Sequence, residues 1–106
     1  MIFRTWRAVA PNQDIVDNYA AHLERSTFKE MAELPGFISA NLSKKLLNEG
    51  RYELLVMSVW QDLSSVERFA KGALDDAVVK PQTQKVLLSF DEKVEYFEVI
   101  ASSENT

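Results

Sequence analysis

The stretch YELLVMSVW, residues 52 to 60, decides the fold. As a β-strand it has one face of Tyr52, Leu54, Val56, Ser58 and Trp60 and another of Glu53, Leu55, Met57 and Val59. Successive side chains of a strand point to opposite sides, and both of these sides are substantially apolar. A strand in an open antiparallel sheet with helices on one side alternates apolar with polar residues instead. The second face therefore needs a cover of its own, because a bare apolar sheet of this size would be a sticky patch.

Upstream, FISANLSKKLL (37 to 47) reads as a strand, joined to 52–60 by the turn residues Asn48, Glu49, Gly50 and Arg51, a hairpin-length loop. IFRTWRAVA (2 to 10) is a further strand ending at Pro11-Asn12, and each of its faces carries one arginine among apolar residues. A helix follows, with Asn12 or Asp14 as cap and Ile15, Val16, Tyr19, Ala20 and Leu23 on one side. Continued without interruption, that helix would carry Glu30 onto the apolar face and turn Phe28 outward. Thr27 to Glu30 has the capping-box pattern, so a break and restart is expected there, and Leu34-Pro35-Gly36 ends the helical region.

Downstream, Ser64 with Glu67 forms a second capping box. It opens a helix expected to carry Val66, Phe69, Ala70, Ala73, Leu74, Ala77 and Val78 and to end before Pro81. A last strand is expected around EKVEYFEVI, residues 92 to 100. The order is βαββαβ, the split βαβ or ferredoxin-like α+β plan: a four-stranded antiparallel sheet with both helices on one side. One domain over residues 1–100 with a flexible polar tail over 101–106 is the expected organisation. The second face of the strand 52–60 is then covered by a second copy, a homodimer with the two sheets face to face.

Composition narrows the chemistry. Twelve Lys and Arg against 16 Asp and Glu give a net charge of −4 with no concentrated basic face, which argues against a nucleic-acid partner. No run approaches the roughly 18 apolar residues of a membrane span, and the first residues show no signal-peptide pattern. A soluble cytoplasmic protein is expected. The chain has no cysteine and a single histidine, His22, which removes thiolate nucleophiles, disulfides and cysteine-held metals. The three glycines, Gly36, Gly50 and Gly72, build no nucleotide-binding loop, so no cofactor and no metal are expected.

The segments MIFRTWRAVAP, LPGF, LLVMSVWQDLSSVERFA, DDAVVKPQ and VEYFEVI, in this order and along nearly the whole chain, resemble bacterial proteins of the antibiotic biosynthesis monooxygenase domain family. The likeness is to a subgroup that opens on a Met-Ile, Arg and Trp-Arg strand and places Phe-Ala ahead of Ala-Val-x-x-Pro. Here these are Met1-Ile2, Arg4, Trp6-Arg7, Phe69-Ala70, Ala77, Val78 and Pro81. The resemblance implies a dimeric α+β barrel and, among characterised relatives, either oxygenases that act on electron-rich aromatic substrates without metal or flavin or proteins that bind and degrade haem. Haem-degrading members use an asparagine, a tryptophan and a histidine that by position would fall near Arg7, Phe69 and Val79. This chain departs at all three, so haem ranks last among the expected ligands.

A cofactor-free oxygenase needs a base that takes a proton from an acidic phenol or carbanion precursor, and a donor that holds the resulting anion while oxygen reacts. Arg7 is the first candidate for the anion holder; an arginine that reaches solvent or pairs with a carboxylate is the equal alternative. Arg4, on the opposite face, is expected at the rim or dimer interface. His22 titrates in the right range for a base, although its angle from the apolar stripe favours a solvated helix position. Glu30 would be a buried base only in an unbroken helix. Phe69 and Trp6 are candidate pocket walls, and Trp60 is a third, with its main role expected in locking strand to helix. Asp75 and Asp76, adjacent on a helix, would point in different directions and fit a solvated face. The expected function is a cofactor-independent monooxygenase acting on a small aromatic or polyketide-like substrate; the alternative is a non-catalytic homodimer that binds a small hydrophobic ligand.

Overall fold

In the computed structural model, which describes residues 1–77 and 79–103, a five-stranded antiparallel sheet carries all helices on one face. Val78 and the tail residues 104–106 lie outside the described residues. The elements are β1 (Ile2–Ala10), α1 (Gln13–His22), a π turn (Leu23–Thr27), α2 (Phe28–Ala32), β2 (Phe37–Leu46), β3 (Tyr52–Trp60), α3 (Leu63–Ala70), α4 (Pro81–Gln84), β4 (Ser89–Phe90) and β5 (Glu95–Glu98). The strand order is β2-β3-β1-β4, with β5 also paired to β1. β1 and β3 pair along their whole length, from Ile2 opposite Trp60 to Ala10 opposite Tyr52. The expected α+β ferredoxin-like plan is therefore present, its last strand divided into the short β4 and β5, both on the free edge of β1.

The register settles the two faces of the sheet. Arg4, Trp6, Ala8 and Ala10 of β1 and Leu54, Ser58 and Trp60 of β3 are buried beneath the helices. Phe3, Thr5, Arg7 and Val9, with Glu53, Leu55, Met57 and Val59, stand on the open face, and Phe97 of β5 pairs with Phe3 there. Two apolar clusters fill the helix side. One holds Trp6, Val16, Leu54, Leu87 and Val94, the other Met31, Trp60, Val66 and Phe69, and Tyr96 packs against both.

The first helical region differs from the expected break and restart. Thr27 is helical, its side chain makes no cap bond, and Phe28 N–H donates to Leu23 O five residues back. This single π turn takes up one extra residue, and at 100° per residue the shift carries Phe28 and Met31 onto the sheet and leaves Glu30 exposed. The phase error visible in the sequence is thus corrected inside the helix, without a cap.

α3 differs too. Its cap is Asp62, not Ser64: the Asp62 carboxylate accepts from Ser65 N at 2.9 Å and from the Ser65 hydroxyl at 2.8 Å. The hydroxyl first and the amide second hold this carboxyl below its usual range. α3 also stops at Ala70, well before Pro81, because Lys71 takes a left-handed conformation (φ +53°) and Gly72 follows at φ +85°. Ala73, Leu74 and Ala77 consequently belong to an irregular segment, and Asp75 and Asp76 are not on a helix. At the other end, Gly36 (φ +86°) approaches α3 so closely that a Cβ would lie 1.9 Å from Ser65 Oγ.

Candidate functional site

β1 alternation places Trp6, not Arg7, toward the helices. Trp6 is buried, and its indole N–H donates to Asp91 O at 2.7 Å while its ring packs near Tyr19 and Phe90. Trp60 is fully buried; its N–H donates to Ser58 Oγ at 2.9 Å, and its ring meets Phe37 edge-on and lies 5.9 Å from Phe69. Both indole donors are thus used within the fold, and Trp60 ties β3 to α3 as its position in the sequence suggested.

Arg7 lies on the open face, its side chain 50% exposed and paired with Glu95 at 3.3 Å. It borders a hollow with Ser43, Lys45, Glu53 and Leu55 and takes no part in the layer between sheet and helices. The arginine inside that layer is Arg4, which corrects its expected place at a rim or interface. Arg4 is 6% exposed, donates from Nε to Tyr96 Oη at 3.2 Å and from Nη2 to Asp76 O at 3.1 Å, and lies over the Phe69 ring at 5.3 Å. The signal for this was in the strand itself: Arg4 shares a face with Trp6 and Ala8. Tyr96 carried no comparable signal, because only strand pairing brings it opposite Arg4.

At the helix end of the same layer, α1 and α4 border a hollow of about 150 Å³. Ile15, Tyr19 and Val86 give it apolar walls, and His22 and Thr83 bring polar atoms to it. Tyr19 and His22 are one turn apart on α1, their rings near-parallel with centroids 6.3 Å apart. Burial pushes the Tyr19 phenol up, so it stays protonated. Burial first, then the positive charges of Lys80 and Arg25, push His22 below its ordinary 6.5 against the opposing pull of Glu30. Neutral imidazole at neutral pH is an acceptor as well as a donor. Lys80, whose charge acts on His22, is held by Ser26 Oγ of the π turn at 2.6 Å and by Glu30 at 3.7 Å. Glu30 is exposed and is therefore no buried base. Among the described residues no three His, Asp or Glu side chains gather as metal ligands.

The fold has solved counterparts. A Bacillus cereus protein named as a candidate antibiotic biosynthesis monooxygenase is similar over 99% of this chain and 96% of its own, at TM-score 0.63 and 20% identity. A mutant of MhuD with two manganese protoporphyrin IX molecules bound per active site matches at TM-score 0.61 and 18% identity, over 97% of this chain and 99% of that one. SnoaB, a cofactor-independent oxygenase from Streptomyces nogalater, matches at TM-score 0.51 and 16% identity, over 95% and 93%. The fold is that of the antibiotic biosynthesis monooxygenases. No family model and no curated protein matches the sequence. Within the monooxygenase fold this chain places an aromatic layer with a buried arginine, and its sole histidine borders the hollow at the edge of that layer. No helix among the described residues is long and apolar enough to cross a membrane.

Proposed function

We infer that this protein is a cofactor-independent monooxygenase of the antibiotic biosynthesis monooxygenase family, cytoplasmic and bacterial, acting on a small aromatic or polyketide-like substrate. The observation that carries the reading is the hollow beside His22 and Tyr19. The hollow is open to solvent and of about 150 Å³, room for a single ring of a substrate to dock, with apolar walls for the ring and an imidazole for its hydroxyl. His22 takes the phenolic proton, the resulting anion supplies the electrons that reduce oxygen, and Lys80 offsets the charge. For an anthrone the overall change is CH2 + O2 → C=O + H2O at the ring methylene: its two C–H bonds break, one oxygen atom becomes the new carbonyl, the other leaves as water with both hydrogens, and the substrate supplies all the electrons.

Oxygen uptake by metal-stripped protein with a panel of quinols and anthrones tests this. Turnover that falls at least about a hundredfold in His22→Ala supports it; turnover unchanged in that variant, or none with any of the panel, removes it. The second reading, a non-catalytic homodimeric binder of a small hydrophobic ligand, is favoured by the apolar walls that Ile15, Tyr19 and Val86 give the same hollow, and binding without oxygen uptake would establish it. Haem ranks third: the only imidazole lies at the edge of the aromatic layer, and a haemin Soret shift lost in His22→Ala would raise it.

The same reading includes a homodimer through the open sheet face. Phe3, Leu55, Met57 and Phe97 form its apolar centre, and the charges around them are already paired, Arg7 with Glu95 and Lys45 with Glu53 at 3.0 Å. Covering the face with its own copy thus buries apolar area without stranding a lone charge.

A further inference from the structure

Arg4 poses a problem that the proposed oxygenase site does not use. As a residue Arg4 is more than nine-tenths buried, and among the described residues no carboxylate pairs with it. A buried charge without a counterion is costly, yet Arg4 is met only by neutral groups: the Tyr96 hydroxyl, the Asp76 carbonyl and the Phe69 ring. The nearby acid Asp76 turns its carboxylate outward to Lys93 instead.

The oxygens around this cation come from one stretch of chain. Asp76 O accepts from Arg4, and Leu74 O accepts from Tyr96 Oη, which itself accepts from Arg4 Nε. Both carbonyls belong to the irregular segment that follows α3, entered through the left-handed Lys71 and Gly72. Beyond Arg4 and Tyr96, that segment is fastened to the chain before β5 by Ala77 N–H to Glu92 O at 2.9 Å, Val94 N–H to Asp75 O at 2.8 Å and the Lys93–Asp76 ion pair, while Leu74 and Ala77 pack against the two apolar clusters. Its pairing is one isolated bridge, Asp76 with Lys93, in place of a continuous ladder, and segments outside such ladders open at lower free-energy cost than the sheet.

We propose that Arg4, Tyr96 and Phe69 form a second binding site, for a small planar carboxylate, which residues 73–77 occupy in the absence of ligand. The Leu74 and Asp76 carbonyl oxygens stand where the two carboxylate oxygens bind. The ligand lifts the segment, receives hydrogen bonds from the Arg4 fork and the Tyr96 hydroxyl, and supplies the missing counter-charge. The exchange favours the ligand because a carboxylate meets the planar Arg4 fork with two parallel hydrogen bonds and an opposite charge, neither of which a single neutral carbonyl supplies. The closed segment competes, so the apparent affinity is lowered by the fraction of molecules that are open.

Benzoate is the probe, with benzamide as its uncharged counterpart, titrated into the isotope-labelled full chain to millimolar concentration. Benzoate is expected to shift the Arg4 Nε–H resonance and to raise hydrogen exchange at the Ala77 and Val94 amides by about tenfold or more, while benzamide does neither. Arg4→Met abolishes the response. Should that variant fail to fold, Arg4→Lys, which keeps the charge but loses the planar fork, weakens it about tenfold. His22→Ala retains it, which separates this site from the hollow beside α1. No benzoate response, an equal response to benzamide, or a response that survives Arg4→Met overturns the proposal.

Discussion

Gly36→Ala is expected to cost about 2–5 kcal/mol, from two sources that can be separated. The backbone at Gly36 has φ +86°, a conformation that costs an L-residue roughly 1–2 kcal/mol. The new methyl would also lie 1.9 Å from Ser65 Oγ and 2.6 Å from Ser65 Cβ, both far inside contact distance. Ser65 cannot simply rotate away: its hydroxyl and amide both bond Asp62, and Gln61 N–H donates to Gly36 O at 2.8 Å, which fixes the spacing from the other side. Relief therefore requires the first turn of α3 to move, an overpacking cost of about 1–3 kcal/mol. Urea unfolding of wild type, Gly36→Ala, Ser65→Gly and the double variant measures this as a cycle. Ser65→Gly removes the clashing atoms, so the double variant should recover the overpacking part and leave the backbone part. A single variant within about 0.5 kcal/mol of wild type, or a cost unchanged when Ser65 is glycine, refutes the argument.

Three further outcomes follow from other parts of the molecule. His22, the only histidine, should titrate below 6.5 by NMR, and Lys80→Met should raise its value while Glu30→Gln lowers it. Since the unfolded chain then binds the proton more tightly, the His22 contribution to stability is complete above about pH 6.5 and falls as the pH drops toward the folded-state value; the opposite trend in urea unfolding contradicts the assignment. Deleting Thr27 should turn the π turn into ordinary α-helix with α2 still in register, giving a folded protein, whereas deleting a residue within α1 should unfold it; circular dichroism and thermal melting distinguish the two. Leu55→Asp should leave a folded chain whose mass by light scattering is half that of wild type, and a wild-type monomer would remove the sheet-to-sheet pairing.

The sheet was legible because two signals agreed. The β3 pattern showed two usable faces, and the hairpin residues between β2 and β3 set their partnership. The helices were less so. A phase slip at Ser26-Thr27 is visible in sequence, but a capped break and a π turn solve it equally well, and tertiary packing of Phe28 and Met31 chose the second. α3 looked long because Ala73, Leu74 and Ala77 continue its spacing, while Gly72 and the use of the Leu74 and Asp76 carbonyls by Tyr96 and Arg4 end it. Phe69, Trp6 and Trp60, offered by the sequence as pocket walls, all lie buried in the layer between sheet and helices. Arg7 pairs with the Glu95 carboxylate on the open face, the alternative that its place on the strand left equally open. His22 remained because its neighbours from α4 are remote in sequence and no helical angle reports them.

The π turn also bears on how this chain can change over time. It lets one helix serve two masters whose geometric demands differ: the residues before it face the hollow, and those after it face the Trp60 cluster. Variation in the Tyr19–His22 half can alter what the hollow accepts without rotating Phe28 and Met31 out of the core. The extra residue acts as a clutch between a part free to drift toward new ligands and a part bound to keep the protein folded.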